Sequence, residues 1–179
     1  MEKTISPAKA AIPYGITYGV ILILEFVLSY TLGLNSKDNA AAGVIMGLLN
    51  YLILPALFIT LACNHFKNKI NGGYIKFGQC IKAGVTTGVI AALVSSVATS
   101  IIYMVAPEIK EGILEQTKIS LASNPNMNAE GLKQAMTWTE TFMKPYISIP
   151  FTILISAFFS LIFSLIIGAI IKKENPGAF

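Results

Sequence analysis

The sequence contains no arginine, one histidine, one tryptophan and only two cysteines. Without arginine the chain lacks the side chain that most often grips phosphates and base edges through paired N–H donors. Its thirteen lysines form no basic stripe, so nucleic acid is not expected as a partner. Two cysteines are too few for a disulfide framework. Charge is scarce as well: 12% of residues are charged, against about 25% in an ordinary soluble domain. Nothing resembles a nucleophile elbow, a phosphate loop, a paired-carboxylate site or an HExxH helix. Gly72-Gly73 lacks the flanking strand and spacing of a nucleotide fingerprint and reads as a turn. Cys63, His65 and Cys80 come nearest to a metal set, but a short pair with a distant third falls short of the closed geometry zinc needs. No catalytic residue, metal or cofactor is expected, and the chain does not read as an enzyme.

What is present is apolar: 54% of the 179 residues are hydrophobic and the mean hydropathy is +0.67. A soluble chain of this size cannot bury so much apolar surface, and a lipid environment removes that demand. Four stretches are long enough to cross a bilayer, at about 12–34, 40–62, 81–106 and 147–171. The first follows Lys3 and Lys9 but is too long for a signal-peptide core, so it reads as a retained helix. Pro55 falls inside the second span and is expected to kink it. The expectation is all-α: one domain over 1–179, an integral four-helix membrane bundle.

Lysine placement sets the expected orientation. The N-terminus, the 63–82 loop and the C-terminus carry eight lysines against Glu2 and Glu174, a net of +6. The 35–39 turn and the 107–146 segment carry five lysines against Asp38 and five glutamates, a net of −1. The first set is expected in the cytoplasm, with both termini. The 107–146 segment is too polar to span. Pro107 suits a helix start, with Glu108 and Glu111 in a turn where the macrodipole favours them. Asn124-Pro125-Asn126 reads as a break, and Asn128 as the N-cap of a second helix. That helix spaces Leu132, Ala135, Met136, Phe142 and Met143 at close to 3.6 residues. The segment therefore reads as an amphipathic helical hairpin on the outer membrane surface. It either caps the bundle or serves as a docking surface or lid.

Small residues recur at every fourth position in all four spans: Gly15 and Gly19; Gly43 and Gly47; Gly84 and Gly88; Ser156, Ser160, Ser164 and Gly168. Such stripes let helix backbones approach closely in lipid, where dispersion packing replaces the hydrophobic effect. They point to a tight bundle or an oligomer.

Glu25 is the one carboxyl within these apolar stretches. A charged carboxylate at mid-bilayer costs roughly 2.5–3.5 kcal/mol or more, and no base deep in a span is there to pair with it. A neutral, protonated Glu25 is expected, with Asn50 at similar depth as its partner and Ser95, Ser96 and Ser160 nearby. The plainer role is interhelical glue; the alternative is a proton or cation site.

Gly73-Tyr74-Ile75-Lys76-Phe77-Gly78-Gln79-Cys80-Ile81-Lys82-Ala83-Gly84 before the third span, Pro107-Glu108 after it, and Leu161 to Lys173 at the end carry a resemblance. The whole chain resembles the bacterial membrane protein family catalogued as domain of unknown function 4199. The resemblance implies four spans with a long segment between the third and fourth, in the bacterial cytoplasmic (inner) membrane. It brings no established activity or substrate, and it hints at a membrane glycosyltransferase as a partner. The expected function is a non-enzymatic accessory or anchoring subunit, embedded in membrane lipid, packing against a membrane-protein partner or forming a homo-oligomer. The alternative is a small transporter or lipid-handling protein that uses Glu25.

Overall fold

The computed structural model describes residues 5–33 and 40–175. Expectations resting on Glu2, Lys3, the end of the first span at Leu34 and the 35–39 turn lie outside the described residues. Among these described residues, seven α-helices follow in order: α1 Pro7–Thr31, α2 Ala40–Leu48, α3 Leu54–His65, α4 Phe77–Val105, α5 Pro107–Ala122, α6 Ala129–Phe142 and α7 Pro145–Ile171. Four helical stretches are long and apolar enough to cross a membrane: Pro7–Thr31, Gly43–Ile70, Phe77–Val105 and Pro145–Ile171. They mark a multi-pass membrane protein.

The second span is assembled from α2, a π-helical turn at Leu49–Ile53, α3 and a second π-helical turn at Phe66–Ile70. Pro55 explains the first π turn. It has no N–H to give, and its ring crowds the carbonyl four residues back. The helix accommodates it by widening, and the Leu54 N–H reaches back to the Leu49 carbonyl. The expected kink is thus realised as a local π bulge, with Asn50 inside it. α3 runs on to His65 and the second π turn carries the helix through Lys67 and Lys69, past the expected end at residue 62. The loop expected over 63–82 shrinks to the few residues between Ile70 and Phe77.

The start of α1, the end of α3, the start of α4 and the end of α7 meet at one end of the bundle. There Ala11, Ile59, Ala62, Cys63, Cys80 and Ala83 form a core with Ile167. The C-terminal end of the described residues is tied to it. Ile75 and Lys173 exchange two backbone hydrogen bonds at 2.9 and 3.0 Å, and the Lys67 ammonium donates to the Ile171 carbonyl at 2.9 Å. Tyr18, Leu54, Phe58 and Ala91 form a second core deeper in, where the Tyr18 and Phe58 rings stack at 5.1 Å.

α4 is the central helix, packed against α1, α3 and α7. Glycines set its spacing. A Cβ placed at Gly15 would lie 2.8 Å from the Thr87 carbonyl oxygen, and one at Gly19 2.9 Å from that of Ala91. On the other side of α4, the Gly84 and Gly88 surfaces are filled by Ser164 and Ser160 of α7. Ser156 donates to the Gly88 carbonyl at 2.9 Å. Gly168 closes on Phe77 and Cys80. At Gly43 and Gly47, by contrast, an added Cβ meets nothing within 4 Å.

α5 and α6 follow α4 and touch each other. Asn128 caps α6, accepting from the Gly131 N–H at 2.7 Å. Neither helix holds a buried residue. They are tied to the bundle by the Tyr30 hydroxyl, which donates to the Glu108 carbonyl at 3.5 Å, and by the Phe142 ring 5.2 Å from Phe151.

Candidate functional site

Glu25 projects from α1 six residues before its last residue, Thr31. That is about 9 Å from the helix end at 1.5 Å per residue. The carboxyl therefore lies midway between the helix midpoint and its α5/α6 end. Asn50 projects from the π turn that Pro55 imposes on the second span. Its amide donates to Glu25 Oε1 at 2.6 Å. The second oxygen of each group, Glu25 Oε2 and Asn50 Oδ1, is buried and without a hydrogen-bond partner.

The pair faces a cavity of about 290 Å³ bordered by Ser29, Ser95 and Thr99, with Leu22, Phe26 and Met46 as its apolar walls. Of the expected polar cluster, the structure brings together Glu25, Asn50 and Ser95. Ser96, one residue round α4, is directed away from the pair and lines a neighbouring cavity of about 230 Å³. Ser160 sits against Gly88 and borders a third cavity of about 280 Å³, beside Tyr18, Tyr51 and Pro55. Ser29 and Thr99 were not among the expected residues, although their four-residue spacing from Glu25 and Ser95 places them one helical turn further along the same faces.

The first two cavities both touch Ser95 and Thr99. The second extends past Ser100, Tyr103, Ser148 and Thr152 to Phe142 and Met143, at the foot of α6. On the opposite side of Glu25 stand the apolar Tyr18, Leu54, Phe58 and Ala91.

Sequence reading also missed a contact between the cysteines. Cys63 and Cys80 are fully buried, with their Sγ atoms 2.7 Å apart. His65 turns elsewhere, its ring 5.5 Å from Tyr14. Among the described residues, no three His, Cys, Asp or Glu side chains come together as metal ligands.

The family model described as "Protein of unknown function (DUF4199)" matches residues 13–173, and the chain belongs to that family. No curated protein and no solved structure matches it.

Proposed function

We propose that the protein is a non-enzymatic subunit of the bacterial cytoplasmic membrane that holds a transmembrane helix of another membrane protein against the outer half of its second span. The observation that carries this reading is the contrast among the four small-residue stripes. Those of α1, α4 and α7 are filled from within the bundle, whereas Gly43 and Gly47 face open space. α2 packs chiefly on the π turn that follows it, and Val44, Ile45 and Leu48 are largely exposed beside those glycines. A Gly-xxx-Gly face of this kind accepts a second helix backbone at close range. A membrane glycosyltransferase is one such partner, and a second copy of the chain is the other occupant the test separates.

In this reading both termini are cytoplasmic, and α5 and α6 lie on the outer membrane boundary. Support comes from the lysine asymmetry and from exposed Ile119 and Trp138 on helices that bury nothing. The native cysteines are poor topology probes, because burial alone shields them. With both replaced by alanine, a cysteine at exposed Asn126 should react with a membrane-impermeant thiol reagent on intact cells. One at exposed Lys69 should react only after lysis. The reverse pattern overturns the orientation.

The docking face itself is tested by Gly47→Leu. This variant should keep the wild-type melting temperature in mild detergent, since no atom stands where the side chain would go. It should also lose the stoichiometric complex, whether with the partner or with a second copy, that wild type forms. An undiminished complex counts against the proposal.

A further inference from the structure

Glu25 accepts one hydrogen bond from Asn50, yet the remaining oxygen of each group is buried without a donor. In an apolar setting, leaving such acceptors unmet is costly, and a carboxylate there adds the cost of an uncompensated charge. One proton on Glu25 Oε2 relieves both: it neutralises the carboxyl and supplies a donor where there are two bare acceptors. Water can bring that proton along hydroxyl-lined cavities. Ser95 and Thr99 border both the Glu25 cavity and the cavity that runs beside Ser100 and Ser148 to the foot of α6. In the other direction the stacked Tyr18 and Phe58 pack with Leu54 and Ala91.

We propose that Glu25 and Asn50 form an exchangeable proton-binding site, served through the hydroxyl-lined cavities from the α5/α6 end. The proton leaving Glu25 Oε2 passes to water beside Ser95 and Thr99, and the carboxylate keeps the Asn50 N–H. The other titratable groups facing this region are two phenols. Tyr18 lies two turns back on α1, and Tyr103 lies two turns beyond Ser95 on α4, with its ring 6.1 Å from Phe26. From the second span, Met46 and Asn50 contribute no titratable group. The site is independent of the docking face at Gly43 and Gly47.

Dicyclohexylcarbodiimide, which enters apolar regions and attacks protonated carboxyls, provides the test on the full-length protein in detergent. Mass spectrometry should find a single adduct at Glu25. Its rate of formation should fall by about tenfold per pH unit once the pH passes the point of half-protonation. Glu25→Gln should fold with the wild-type melting temperature and take no adduct. A cysteine at Ser100, on the proposed path, should react with a water-soluble thiol reagent at least tenfold faster than one at Leu54, buried in the packed core beside Tyr18. Three results each overturn the proposal: no adduct at Glu25 in folded protein, a rate that never falls with rising pH while the protein stays folded, or equal reactivity of the two cysteines.

Discussion

Gly88→Leu is expected to be among the most damaging single substitutions in the protein. A Cβ at Gly88 would lie 2.7 Å from the Ser160 Cβ, with the Ser160 hydroxyl closer still. Neither can retreat, because Ser160 is itself buried on α7 and Ser156 is bonded to the Gly88 carbonyl. The two helices must separate, and α4 is also the helix on which α1 and α3 pack. Overpacking a well-filled core costs roughly 1–3 kcal/mol or more, and here the loss spreads along the α4–α7 seam. Val89→Leu, one residue round the helix at a half-buried position, should be mild. Thermal denaturation in detergent reads the difference. Equal melting temperatures for the two variants would mean that the α4–α7 packing is not as described.

Glu25→Leu should be the second severe change, for a different reason. Leucine takes away the side-chain acceptor of the Asn50 amide and leaves a half-buried Asn50 with an unmet donor as well as a buried, unmet acceptor. Leaving buried polar groups unsatisfied costs about 1–3 kcal/mol. Glu25→Gln keeps both the shape and an acceptor for Asn50, and its own amide can donate to Asn50 Oδ1. It should melt within a few degrees of wild type. A melting temperature for Glu25→Leu as high as that of Glu25→Gln would contradict the assigned Glu25–Asn50 bond.

The four spans were legible because bilayer thickness imposes a length that hydropathy reports directly. Helix ends were less so. Residues 63–70 read as a loop because His65, Lys67 and Lys69 are polar. The helix nevertheless continues there, as α3 to His65 and then as a π turn, with Cys63 and Phe66 buried in the core. Depth along a span was readable too, which is why Glu25 and Asn50 could be paired. Azimuth was not. A helix apolar all round has no polar face to show its direction, so Ser95 and Ser96 looked equivalent although only Ser95 borders the Glu25 cavity. For the same reason Gly43 and Gly47 were indistinguishable from Gly84 and Gly88, and one pair is open while the other is filled. The contact between Cys63 and Cys80 depends on how α3 meets α4, which neither helix encodes alone.

The docking face can be read most directly in native membranes. A photo-reactive side chain at Val44, which is 64% exposed beside Gly43, should crosslink to one discrete membrane protein, and that adduct should vanish in Gly47→Leu. The same group at Leu154 of α7, 66% exposed, should yield lipid adducts alone. A Val44 pattern no different from that of Leu154, or one unchanged by Gly47→Leu, would contradict the assignment of the second span as the surface that holds a partner.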